Sequence, residues 1–347
     1  MQKSTVDLIN QITDWYIPVK NPMEGYIYLG KENQDIKKSG TEIKIMAQRL
    51  EDLCNENLHK GEDFKISYKE SKEDKYEFRY RVHFIKGAES DMFALRYIPR
   101  EIIPAENLKL PLLVNSVLKS KALSRGGLII VSGETGQGKT TTCSSMIQYR
   151  LKEFGNFALT IEDPPEYFMD GKYGDKNGRC IQTEVFSGGF AAALKGAMRS
   201  YPAQSGSILY VGETRDSETA SEIIKAVTNG HIVFTTIHGM DILSTITRFV
   251  AMCSGQNLSE DEVRQTIAMS LRLVVHQRLE RFTPKDGAQT VHVHCESLFS
   301  DGPTSSVANK IISSNIRGLA GDIREQEAKI RSVGPSAIIG DWEKTVR

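Results

Sequence analysis

The apolar run Leu128-Ile-Ile-Val131 leads through Ser132 into Gly133-Glu-Thr-Gly-Gln-Gly-Lys-Thr140, and this junction constrains the fold more than any other part of the 347-residue chain. The octapeptide fits G-x-x-x-x-G-K-[ST], a loop whose glycines let the backbone curl so that successive N–H groups face an anion. The N-terminus of a following helix adds its dipole to the same spot. Such a loop needs a strand before it and a helix after it, which selects a layered α/β architecture over an all-helical or all-β one. Gly133, Glu134, Thr135, Gly136, Gln137, Gly138, Lys139, Thr140 and Thr141 are the expected cradle. Lys139 is placed to reach the β- and γ-phosphates of a nucleoside triphosphate, and the Thr140 hydroxyl to ligate Mg²⁺. ATP and Mg²⁺ are therefore the expected ligands.

The surrounding pattern agrees. Gly127–Val131, Ala158–Ile161, Ser207–Val211 and His231–Thr236 are short continuous apolar stretches, as in strands covered on both faces. Helical segments at about 139–154, 187–200 and 217–229 separate them, which implies a mostly parallel sheet. A further helix is expected over 260–280, opened by the capping-box pair Ser259 and Glu262. Residues 104–118, punctuated by Pro104 and Pro111, read as a linker. That leaves a smaller α+β domain over 1–103 and a larger α/β domain over 119–347. Within the first, 4–16 and 41–57 read as amphipathic helices. Tyr76–Phe84 alternates apolar and charged residues as a half-buried strand does, and Met92–Ile98 returns as its hairpin partner.

In a parallel sheet, ligands sit beyond the carboxyl ends of the strands, so residues just after each strand carry the chemistry. Ser207–Val211 runs into Gly212-Glu213-Thr-Arg-Asp216. Glu213 is the expected water-orienting carboxylate, a solvated loop residue being the alternative, and Asp216 is either functional or a helix N-cap. Glu162-Asp-Pro-Pro-Glu166 follows another strand. Glu162 and Glu166 read as contacts to metal-bound water or the γ-phosphate, or as part of an ordinary acidic loop. His231 and His238 flank a fourth strand, where a neutral imidazole can report a γ-phosphate or simply sit in the core. His292 and His294 lack further ligands at metal spacing.

A hairpin folded about residues 88–89 sets Arg81 directly opposite Arg96. Like charges paired across a sheet are destabilising. No acid of the hairpin sits obviously between them, so an anion is expected there. Arg81, Arg96 and their neighbour Arg79 thus become candidate γ-phosphate contacts, within the chain or donated to the site of a neighbouring subunit as arginine fingers are.

Forty-four basic residues balance forty-four acidic ones, and no basic stripe carries interleaved aromatics, so no direct nucleic-acid partner is expected. The five cysteines are scattered without a C-x-x-C pair, which disfavours a disulfide framework or zinc ribbon and suits a reducing compartment. No apolar run approaches the length of a membrane span. A cytoplasmic protein is the expectation.

Taken together, Gly133–Thr141, Ile161-Glu-Asp-Pro-Pro-Glu-Tyr167, Tyr210-Val-Gly-Glu-Thr-Arg-Asp216 and Gly230-His231 through Thr236-Ile-His238 resemble motifs of one family. In order, they look like the Walker A, Asp box, atypical Walker B and His box of the secretion-superfamily hexameric ATPases. The resemblance is closest to the DotB branch of type IVB secretion and conjugation, with PilT-like pilus retraction motors next. Phe78–Val82, Ala94–Pro99 and Gln277-Arg-Leu279 also look like that group. The resemblance implies a PAS-like first domain, a RecA-like ATPase domain and a homo-oligomeric ring, a hexamer, with nucleotide at the subunit boundaries. It further implies Glu213 as general base and the hairpin arginines as γ-phosphate contacts. Partners would be components of a bacterial inner-membrane secretion or conjugation machine, with peripheral membrane association through them. Asn315-Ile-Arg-Gly-Leu319 echoes the pilus-retraction motif only weakly.

Overall fold

The computed structural model describes residues 3–30, 32–69, 77–99, 101–185, 189–202, 207–254, 258–282 and 290–344; Tyr76, at the start of the expected strand, falls outside them. Contacts divide the chain into one unit of Met1–Glu101 with Glu166–Phe168, and another of Ile102–Pro165 with Met169–Arg347.

The first unit is an α+β, PAS-like fold. Its helices are α1 (Lys3–Ile9) and α2 (Thr41–Asn57), and its strands are β1 (Ile12–Pro18), β2 (Tyr26–Leu29), β3 (Glu32–Asp35), β4 (Asp63–Tyr68), β5 (Phe78–Ile85) and β6 (Met92–Ile98). They form one antiparallel sheet in the order β3-β2-β1-β6-β5-β4. Ile43, Met46, Ala47, Leu50 and Cys54 recur at helical spacing along α2 and are buried. Phe78, Tyr80, Val82 and Phe84 of β5 enter the same core, and Arg79, Arg81 and His83 alternate onto the other face. Edge strand β3 is polar throughout, Glu32-Asn-Gln-Asp35.

The helix expected over 4–16 is shorter than its apolar stripe. It stops at Ile9, and the chain re-enters as β1, a central strand between β2 and β6. A β-bulge between Ile12 and Asp14 breaks the alternation, so the buried Ile12, Trp15 and Ile17 mimic a helical stripe. Two-sided pairing of this β-branched and aromatic segment prevails over the apparent period.

The second unit is a RecA-like α/β fold. It comprises α3 (Leu112–Lys119), β7 (Gly127–Ser132), α4 (Lys139–Phe154), β8 (Phe157–Glu162), β9 (Gly171–Tyr173), β10 (Gly178–Glu184), α5 (Gly189–Ala197), β11 (Ser207–Val211) and α6 (Ser217–Thr228). It continues with β12 (Ile232–Ile237), α7 (Ile242–Cys253), α8 (Glu260–Ser270), β13 (Leu271–Phe282), β14 (Thr290–Phe299), α9 (Ser306–Ile312), α10 (Leu319–Ser332) and α11 (Ser336–Lys344). The sheet runs β14-β13-β7-β12-β11-β8-β10-β9, with β13 through β10 mutually parallel and an antiparallel strand at each edge. Every side chain of β7, β11 and β12 is buried, as expected of strands covered on both faces.

Two departures from the sequence reading have tertiary causes. The helix beginning at Glu260 carries its capping box but ends at Ser270, after which Leu271-Arg-Leu-Val-Val275 joins the sheet between β7 and β14. The stretch expected as a linker is core, since Leu110, Leu113, Val114, Val117 and Leu118 are buried. Arg150 of α4, itself fully buried, donates to Leu118 O (3.0 Å), Ser120 O (2.9 Å) and Ser124 Oγ (2.8 Å), closing the orphan carbonyls at the end of α3. Among the described residues, no helix is long and apolar enough to cross a membrane.

Candidate active site

The loop between β7 and α4 is shaped by its glycines and braced from β13. A Cβ on Gly133 would stand 2.3 Å from Gln277 O, so only glycine lets the loop leave β7 at this point. Gln277, buried beside it, accepts from Thr142 Oγ1 (2.7 Å) and donates to Gln137 O (2.6 Å). Gln137 answers by accepting from Leu279 N at 2.7 Å. The cradle is thus stitched to a strand about 140 residues later in sequence. Lys139, mostly buried, opens α4 and folds back so that its ammonium donates to Gly133 O (2.9 Å) and Glu134 O (2.7 Å). Its positive charge is therefore held over the loop where an anion is to be received.

The brace went unread in the sequence because nothing local shows that β13 lies beside β7. Substituting Gln277 with leucine keeps the volume but orphans Thr142 Oγ1 and the Gln137 carbonyl. The expected cost is about 2 kcal/mol of stability and about a tenfold loss of nucleotide affinity. Chemical denaturation and a fluorescent-nucleotide titration would measure the two effects separately.

The same edge of the sheet gathers the expected acids. Glu162 ends β8 and is buried, its Oε1 accepting from Thr160 Oγ1 and Gln182 Nε2, both at 2.8 Å. Two strands of the sheet away from β7, Gly212 follows β11 with its N–H bonded to Ile161 O at 2.8 Å. A Cβ there would sit 3.2 Å from Glu162 Cγ, so an acid at this position would crowd the one that ends β8. Glu213 comes next. Its backbone is fixed by Thr214 N donating to Thr236 O (2.9 Å) and by Thr236 Oγ1 donating to Gly212 O (2.6 Å). His238, just past β12, places Nε2 2.9 Å from Glu213 Oε1, and Arg215 lies against Oε2. Asp216 turns out to be the N-cap of α6, accepting from Thr219 N at 2.8 Å.

His231 does not join this group. It precedes β12, which runs parallel to β7 with Ile232 opposite Gly127 and Ile237 opposite Ser132. At about 3.3 Å per residue, that puts it about 20 Å from the cradle, at the opposite edge of the sheet. It pairs with Ser207 Oγ and packs 4.4 Å from the Tyr201 ring, and burial lowers its pKa. The expectation of a nucleotide contact from His231 within its own chain is therefore corrected; a residue before a parallel strand belongs to the wrong end.

The remaining candidates lie in the first unit. Arg81 and Arg96 are directly opposite each other, as expected. The expectation of an anion between them loses its ground, because the strands flanking the hairpin supply one acid each. Asp63 of β4 is 3.7 Å from Arg81, and Asp14 of β1 is 2.8 Å from Arg96. Arg79 reaches Glu77 at 3.1 Å and lies 3.8 Å over the Phe168 ring. Glu166 is exposed and groups with this unit, apart from Glu162.

A glycine-rich strand-to-helix loop, with carboxylates and an imidazole at the ends of neighbouring parallel strands, defines a RecA-like P-loop domain. The chain belongs to the type II/IV secretion system protein family, whose match covers residues 31–310. It is 32% identical over 214 residues to the twitching motility protein of Neisseria gonorrhoeae, covering 62% of this chain and 54% of that one. The pilus retraction motor PilT with bound ADP has a TM-score of 0.70 at 25% identity, over 94% of this chain and 90% of that one. The Legionella pneumophila ATPase DotB shares the fold, with a TM-score of 0.65 at 20% identity over 94% and 89% of the two chains. The chain spans about half the length of the curated relatives it matches.

Proposed function

We propose that this protein is an ATP-hydrolysing motor that works as a homo-oligomeric ring, a hexamer, at the cytoplasmic face of a bacterial inner membrane. The observation that carries this reading is Glu213. It sits at the end of a parallel strand on the same sheet edge as the Lys139 loop, where a general base can meet a water aimed at a γ-phosphate.

The donor set suits the ligands. Glycine N–H groups, the Lys139 ammonium and the start of α4 fit phosphate, while the Thr140 hydroxyl suits the hard oxygen preference of Mg²⁺. Bound there, Mg²⁺ would neutralise charge between the β- and γ-phosphates. Gly133–Thr141 bind and orient the triphosphate, Glu213 takes the water proton, and His238 holds the Glu213 carboxylate in place.

Arg81 and Arg96 are proposed to meet the γ-phosphate of a neighbouring protomer, with Arg79 and Glu166 beside them. The support is that both side chains are substantially exposed, Arg96 at 73%. Alanine at either position is expected to lower turnover by about 10³-fold while sparing ADP affinity. Turnover that stays unchanged in a phosphate-release assay refutes the contact. Sizing chromatography with and without ATP tests the ring.

The machine served is proposed to be a type IVB-like secretion or conjugation apparatus. Pilus retraction is the second reading, favoured specifically by the higher TM-score and identity to PilT than to DotB. Deleting the gene separates them: loss of transferred substrate supports the first, loss of twitching the second.

A further inference from the structure

Both oxygens of the Glu213 carboxylate are engaged by side chains. Arg215 brings Nε to Oε2 at 2.8 Å and Nη2 to the same oxygen at 2.7 Å, while His238 brings Nε2 to Oε1 at 2.9 Å. A carboxylate takes a proton from an attacking water only through a lone pair aimed at that water. On Oε2, two guanidinium N–H groups already stand where such a proton would arrive.

The two partners in this clamp differ in freedom. Glu213 has a side chain only 16% exposed, and its loop is tied to β12 through Thr214 and Thr236. Arg215 is 58% exposed and sits on a long, rotatable stem. The charge of Asp163, in the loop after β8, also acts on the guanidinium. A planar fork of this kind recognises phosphate as readily as carboxylate, and a phosphate bearing more charge competes for it.

Resting on the reading of Glu213 as general base, we propose that Arg215 is a γ-phosphate-responsive gate on that base. Without triphosphate it covers Oε2. When a γ-phosphate arrives, the guanidinium passes to the phosphate oxygens and uncovers Oε2. The water oxygen then forms its bond to the γ-phosphorus as the bond to the β–γ bridging oxygen breaks. The water proton passes to Glu213 Oε2, and ADP leaves with the electron pair on its terminal oxygen. ADP, lacking the group that draws Arg215 away, leaves the base covered.

The test uses the full chain in Mg²⁺ buffer, with the fluorescent analogues mant-ADP and mant-AMPPNP followed by anisotropy. Arg215→Ala is expected to weaken mant-AMPPNP about tenfold while leaving mant-ADP within about twofold. Arg215→Lys, which keeps the charge without the fork, recovers part of that loss. Glu213→Gln loosens the clamp and is expected to tighten mant-AMPPNP about threefold, an effect that disappears in the Arg215→Ala background. Equal weakening of both nucleotides by Arg215→Ala, or a tightening that survives in the double variant, overturns the gate and leaves the ATPase reading standing. Failure of the unaltered chain to bind either analogue overturns the ATPase reading, and the gate with it.

Discussion

Replacing Glu213 with glutamine is expected to lower ATP turnover by about 10²–10⁴-fold, the usual worth of a positioned general base, while ADP affinity stays within about twofold. The substitution is nearly isosteric. Gly212, Thr214 and Thr236 fix the loop through backbone and threonine bonds that do not involve the carboxylate, so the fold should tolerate it. The loss should fall on kcat, because the proton is taken only in the transition state. Steady-state phosphate release beside an ADP titration makes the measurement. If the variant drives its machine as well as the unaltered protein does, while loop variants fail, the protein is an ATP-gated docking scaffold rather than an engine.

Lys139→Ala supplies that comparison. It removes the only side-chain cation of the glycine-rich loop, and with it the proposed charge-assisted bonds to the β- and γ-phosphates. Each such bond contributes roughly 1.5–3 kcal/mol, so affinity is expected to fall by about 100-fold or more. In the structure the ammonium also bonds the carbonyls of Gly133 and Glu134, and losing it leaves those two acceptors to solvent. A modest drop in thermal stability without nucleotide should therefore accompany the binding defect. Isothermal titration and a melting curve distinguish the two. Normal affinity in a stably folded variant would remove the loop from the mechanism.

Much of this was readable because the informative signals were local. The glycine-rich motif and the helix it opens place α4 at Lys139–Phe154 without help from tertiary contacts; alternation marks β5, and the turn after it marks β6 as its hairpin partner. The rule that ligands meet a parallel sheet at its carboxyl edge singles out Glu162, Glu213 and His238, and the structure sets all three at that edge. By the same rule His231, which precedes β12, belongs to the opposite edge. The signals that failed were those decided by distant partners. A bulged central strand imitated a helix at Trp15, and β13 was hidden behind a capping box because its pairing with β7 has no local mark. The brace from Gln277 and Asp14 beside Arg96 come from strands remote in sequence, and Asp63 beside Arg81 from the strand before the hairpin, so no spacing within the motifs could reveal them.

The composition of β3 bears on how copies of this protein can associate. Strand borders with free amides recruit foreign strands and grow fibres; a border of Glu32, Asn33, Gln34 and Asp35 is charged and highly hydrated, which makes it a poor template. On that flank, recruitment of another chain by backbone zippering is discouraged. Any contact between copies on that flank is left to side chains rather than to shared backbone bonds.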